Sequence, residues 1–126
     1  MPNARRDEVW QIDFGIAAKV RPALVLGCDI ADEDRVLVAA VYHTTALRGS
    51  RYEVPMRVSG LDEGGFDAQS IYTIPAVKLI RRRATLSSGQ MKAVEEKVKL
   101  WLGLTLKRLI KTSAMSRTSG TIGTGW

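Results

Sequence analysis

Little in this chain could staple it, anchor it or load it with metal. It has one cysteine, Cys28, so no intrachain disulfide can form, and one histidine, His43, so a zinc site is not expected. No apolar run approaches the roughly 18 residues that cross a bilayer. The stretch Met1-Pro2-Asn3-Ala4-Arg5-Arg6-Asp7-Glu8 is charged and lacks the apolar core of a signal peptide, so a cytoplasmic protein is expected. No internal repeat is visible. Aromatics are scarce, at three Trp, three Tyr and two Phe, which leaves Tyr52, Phe66 and Tyr72 as the candidates for stacking an unpaired base. Trp10 and Trp101 fall in core-like patterns and are expected to pack, and Cys28 is expected to be a small buried hydrophobe.

What is present is an ordinary apolar fraction and an excess of positive charge. Nineteen Lys and Arg against thirteen Asp and Glu give +6 over 126 residues, a length that suits one domain. Such a charge fits a nucleic acid, through counterion release from phosphates, and equally an acidic protein partner or plain solubility.

Five segments have strand character. Glu8 to Phe14 alternates apolar and polar side chains, the period of a half-buried strand. Pro22 to Leu26 and Val36 to Val41 are short apolar runs, as expected of strands buried on both faces. Arg51 to Val58 alternates again, with Pro55 pointing to a sheet edge or a bulge. Ser70 to Ile74 is the fifth, followed by Pro75 and the Val77–Ile80 stretch, and the glycine-rich Gly60 to Gly65 reads as a turn. Short strands at this spacing predict a small twisted barrel. At Ser87 and Gln90 a capping-box pattern opens an amphipathic helix with Met91, Val94, Val98, Trp101 and Leu102 on one face, closing near Gly103. The expected organisation is one domain over residues 1–111 and a flexible Ser/Thr/Gly-rich tail over 112–126, with Trp126 a possible anchor on a partner.

In order, the chain carries Glu8-Val9-Trp10-Gln11-Ile12-Asp13-Phe14-Gly15, then Arg21-Pro22-Ala23-Leu24-Val25-Leu26, His43-Thr44-Thr45-Ala46-Leu47-Arg48-Gly49, and Lys78-Leu79-Ile80-Arg81-Arg82. With the helix that follows, these segments resemble the MazF/PemK toxins of bacterial toxin–antitoxin pairs. The resemblance implies a mainly β fold with a C-terminal helix (α+β), a small SH3-like barrel of the MazF/PemK (CcdB-like) type. It also implies a homodimer, metal-independent cleavage of single-stranded RNA at short sequences with no cofactor, and inhibition by a cognate antitoxin. Motif matching puts the family's catalytic arginine on Arg21 and its catalytic threonine on Thr44, with Thr45 beside it. Two departures stand out. The link from Gly15 to Val20 is short, and Tyr72 stands where the family often carries an arginine, although Phe66-Asp67-Ala68-Gln69 matches one branch.

Metal-free RNA cleavage must remove the 2′-OH proton, stabilise a pentacovalent phosphorane and protonate the leaving 5′-oxygen. A guanidinium suits the second task, because its planar fork matches two phosphate oxygens and stays charged. Arg21 precedes a proline that holds its backbone extended. From position alone it is a solvated arginine at a strand end; the resemblance makes it the phosphate ligand. Thr44, otherwise an ordinary strand residue, can donate a hydrogen bond from a stiff rotamer. For proton transfer the candidates are His43, whose simpler reading is a structural or rim role, Asp67 and Glu53, with Thr45 for positioning. His43 faces away from Thr44 in a regular strand, and joins it only if the strand ends or bulges there. Lys19, Arg48, Arg51, Gln69 and Tyr72 are candidate RNA contacts, while Arg81-Arg82-Arg83 is a charge run whose simplest role is a solvated face. Two alternatives stay open: a gyrase-targeting protein-binding toxin of the same fold, and a non-catalytic RNA- or antitoxin-binding relic.

Overall fold

The structure is a computed structural model, and it describes residues 4–15, 19–27 and 29–104. Cys28 and the stretch from 105 onward, which includes the expected tail and Trp126, lie outside the described residues. Six strands, β1 (Glu8–Asp13), β2 (Val20–Val25), β3 (Leu37–Thr44), β4 (Glu53–Met56), β5 (Gly64–Pro75) and β6 (Leu79–Thr85), precede one helix, α1 (Ser88–Leu102). They form one antiparallel sheet in the order β4-β5-β3-β2-β1-β6. The expected barrel is therefore left open, with β4 and β6 as its edges. Pro55 accounts for one edge: it has no N–H to give a ladder, and it lies exposed in a four-residue strand paired on one side.

Alternation along the strands sorts their side chains onto two faces. Ile12, Ala23, Val25, Val38, Ala40, Tyr42 and Ile74 gather on one, with Trp10 and Phe14 packed against them. Val9, Leu24, Val41 and Phe66 gather on the other, where Met91 and Val94 of α1 dock. Burying those two helix side chains contributes about 1.5–3 kcal/mol each, before ordering costs. The capping box is formed: the Gln90 N–H donates to Ser87 Oγ at 3.2 Å and the Ser87 N–H to Gln90 Oε1 at 2.9 Å. Gly103, at φ 74°, closes the helix in the left-handed conformation that glycine adopts without strain.

Three expectations need correcting. Trp101 does not enter the core; it is 43% exposed, its ring edge-on to Tyr52 at 5.2 Å. The apparent turn at Gly64 and Gly65 opens β5, because a strand crossing there needs residues without side chains. A Cβ on Gly64 would stand 2.1 Å from the Thr44 carbonyl oxygen, and one on Gly65 2.4 Å from that of Val54. Finally the arginine-rich run is not merely a charged surface but β6, an edge strand hydrogen-bonded to β1 with two register shifts. No helix among the described residues is long and apolar enough to cross a membrane.

Candidate active site

Antiparallel pairing places the start of β2 beside β1 and the end of β3 beside β5, and a cleft of about 440 Å³ opens there. Arg21 and Pro22 enter it from β2, and His43, Thr44 and Thr45 from the end of β3. The β3–β5 register shifts between the Val41–Ile71 and His43–Phe66 pairs, while His43 and Thr44 themselves pair in regular sequence with Phe66 and Gly65. Both nonetheless line the cleft, which opens where β3 ends at Thr44.

The chemistry of each group follows from its surroundings. The Ala46 N–H donates to Thr44 Oγ1 at 3.0 Å, which fixes the oxygen and leaves its hydroxyl proton to donate elsewhere. Arg21 is solvent-exposed, its guanidinium carbon 5.2 Å from the centroid of the Tyr42 ring. His43 is 4% exposed and stands edge-on to Phe66 at 5.2 Å. Its Nε2 has no hydrogen-bond partner among the described residues. Burial pushes the imidazole below its ordinary pKa of 6.5; Asp62 opposes that shift and Arg83 adds to it. A neutral imidazole at neutral pH is a proton acceptor in waiting.

Three polar residues of the cleft were not singled out as site residues: Gln11, Asp62 and Arg83. Arg83 hydrogen-bonds Gln11 Oε1 and donates at 3.0 Å to the Gly60 carbonyl, so its guanidinium is held at the cleft wall. Only the β1–β6 pairing reveals this, because neighbouring arginines in a charge run look alike in sequence. Gly60, at φ 95°, permits that approach: a Cβ there would meet the Arg83 carbonyl oxygen at 2.7 Å.

The remaining candidates lie elsewhere among the described residues. Glu53 is buried at 7% exposure and accepts from the N–H groups of Arg48, Gly49 and Ser50 at 2.7–3.0 Å. The Arg48 N–H, then those of Ser50 and Gly49, hold its carboxyl below the usual 4.5 against the opposing effect of burial, so it anchors the β3–β4 loop. Asp67 pairs with Glu53 in register and accepts from the Gln69 N–H and the Ser70 hydroxyl, both at 3.0 Å. Gln69 is exposed on β5. Lys19 closes the β1–β2 hairpin at φ 59°, donating its N–H to the Gly15 carbonyl at 2.7 Å. Arg51 lies 4.8 Å from the Tyr52 centroid, and Phe66 is fully buried, so it stacks no base. Tyr72 is 41% exposed and stacks on Tyr42.

An open six-stranded antiparallel sheet backed by one C-terminal helix is the fold this chain shares with solved MazF-type toxins. An endoribonuclease solved with its cognate antitoxin, from a mycobacterial species, superposes at a TM-score of 0.71, with 24% identity over 81% of this chain and 97% of that one. MazF in a MazE–MazF structure from Deinococcus radiodurans gives 0.70, with 19% identity over 83% and 100%. The Mycobacterium tuberculosis toxin MazF-mt6 gives 0.67, with 26% identity over 78% and 98%. No curated protein matches the chain. Residues 5–102 match the PemK-like, MazF-like toxins of type II toxin–antitoxin systems, and the chain belongs to that family.

Proposed function

We propose that this toxin is a metal-independent endoribonuclease that cleaves single-stranded RNA by attack of a ribose 2′-OH on the adjacent phosphate. One observation carries the proposal: a single cleft gathers a guanidinium, an oriented hydroxyl and a buried imidazole, from Arg21, Thr44 and His43. Those groups match the demands of the reaction without help from another ion. Neutral His43 accepts the 2′-OH proton as the 2′-oxygen bonds to phosphorus. Arg21 holds the non-bridging oxygens and Thr44 donates to one of them as charge builds. The P–O5′ bond then breaks, water in the cleft supplies a proton to the 5′-oxygen, and His43 returns its own to solvent. The products are a 2′,3′-cyclic phosphate and a 5′-hydroxyl. Asp62 stabilises the transient imidazolium, while Thr45 and Arg83 position the flanking backbone. Asp67 and Glu53, whose oxygens already serve neighbouring donors, are left out of the proton transfers.

Lys19, Arg48, Arg51 and Gln69 contribute RNA contacts beyond the cleft. The relatives solved as MazE–MazF and with a cognate antitoxin support an antitoxin as the partner; the proposed toxin works as a homodimer in the cytoplasm. A second reading draws on one feature, the exposed helix end at Trp101, Leu102 and Leu104, which suits a toxin that seizes a protein such as gyrase. Incubating the protein and Arg21→Ala with long single-stranded RNA separates the two. Discrete fragments from wild type, and about 10²–10³-fold slower cleavage by the folded variant, support the nuclease. Intact RNA with both, together with inhibition of gyrase, supports the protein-binding toxin.

A further inference from the structure

The aromatic group beside Arg21 has no part in the chemistry above. Tyr42 of β3 and Tyr72 of β5 stack with ring centroids 4.5 Å apart and planes 23° from parallel. Phe14, which follows β1, stands edge-on to both, at 4.5 Å from Tyr42 and 5.5 Å from Tyr72. The Arg21 guanidinium carbon lies 5.2 Å from the Tyr42 centroid. A chain with eight aromatics thus commits three of them to one ladder next to its phosphate-binding arginine.

The ladder is graded in exposure. Tyr42 is 9% exposed, whereas Tyr72 is 41% exposed. Burial and the neighbouring Tyr72 push the Tyr42 phenol above its ordinary 10.0, against the pull of Arg21, so it stays a neutral donor. We infer that the exposed ring of Tyr72 is a stacking subsite for one unpaired nucleobase, the base of a nucleotide adjoining the phosphate held by Arg21. The inference rests on the RNA-cleaving reading. Two rings already pinned by a third lose little freedom when a further ring stacks on them. Arg21 of β2 bears on Tyr42 of β3 and Tyr42 on Tyr72 of β5, so a phosphate at the guanidinium and a flat ring over Tyr72 lie about 10 Å apart, two strand spacings, which the nucleotide next to that phosphate spans. A base has a π-face whatever its identity, so the subsite favours unpaired over paired RNA.

The test is a double-mutant cycle between protein and substrate. A short single-stranded RNA containing one cleaved site is compared with a set carrying a single abasic nucleotide at each position in turn. Wild type, Tyr72→Ser and Tyr72→Phe are assayed for kcat and KM. With wild type, one abasic position beside the cut raises KM about tenfold. Tyr72→Ser shows the same rise on intact RNA and no further penalty at that position, and Tyr72→Phe behaves as wild type. An abasic penalty at every position that is equal in wild type and Tyr72→Ser overturns the subsite. So does a Tyr72→Ser effect confined to self-association or antitoxin affinity, which marks the ring as a protein contact. If wild type cleaves nothing, the nuclease reading fails, and the same cycle read by anisotropy with 2′-O-methyl RNA decides the subsite alone; absence of binding there overturns it too.

Discussion

Replacing Gly64 with alanine adds a single carbon at a position that looks like a turn in sequence and proves to be a strand crossing. The added Cβ would stand 2.1 Å from the Thr44 carbonyl oxygen and 3.1 Å from the Thr45 Cα. Ordinary contact begins near 3.4 Å, so the Thr44 carbonyl must retreat by about 1.3 Å and the Thr45 Cα by about 0.3 Å, or the strands must part. Overpacking of this kind costs about 1–3 kcal/mol. In a domain of this length each kcal/mol lowers Tm by about 4 °C. The displacement falls on the threonine pair in the cleft, and a misplacement of about 1 Å slows a positioned reaction by about 10²-fold. Gly89 is the control: nothing lies within 4 Å of a Cβ built there, and it sits in the first turn of α1. Gly89→Ala should leave turnover unchanged and add about 0.4–1 kcal/mol of stability. Thermal melts and single-turnover cleavage of a short RNA measure both quantities. Wild-type Tm and turnover in Gly64→Ala would refute the close crossing and its link to the threonines.

Two further predictions follow from titrating groups. Because burial lowers the folded pKa of His43, its contribution to stability is complete above 6.5 and is lost as pH falls through the lowered value. His43→Gln should remove the acid limb of the kcat/KM profile and slow cleavage at neutral pH by about 10²–10⁴-fold, which a pH–rate series checks. The Glu53 carboxyl is likewise held below 4.5, so the β3–β4 loop is anchored above that pH and released as pH falls through the folded value. Glu53→Gln should speed hydrogen exchange at the amides of Arg48, Gly49 and Ser50 already at neutral pH.

Patterns that depend on one local period were legible in the sequence. Alternation marked β1, the apolar runs marked β2 and β3, Pro55 marked an edge, and Ser87 with Gln90 marked the start of α1 where the structure has it. What escaped depended on pairing. β6 carries three consecutive arginines and no apolar alternation, so only its ladder with β1 identifies it and brings Arg83 to Gln11. Gly64 and Gly65 read as a turn because glycine's commonest use is there, while their use here is to let backbones approach. Trp101 keeps the apolar period of the helix, yet its ring lies edge-on to Tyr52 and remains at the surface. Arg21 and Thr44, singled out by their motifs, and His43, singled out by its pKa range, all line the cleft. Asp62 sits in a loop and carries no signal until the fold closes it on His43.

Attack by the 2′-OH with the cleft's own side chains is the central claim, and one substitution in the substrate addresses it most directly. A single-stranded RNA with one cleaved site is incubated with the protein in EDTA, beside the same strand carrying a 2′-deoxynucleotide immediately 5′ of the cut phosphate. Cleavage of the all-RNA strand to a 2′,3′-cyclic phosphate end, with the deoxy-substituted strand left intact at that site, is the predicted result. Cleavage of the deoxy-substituted strand at the same phosphate, or cleavage that needs added divalent metal, would contradict it.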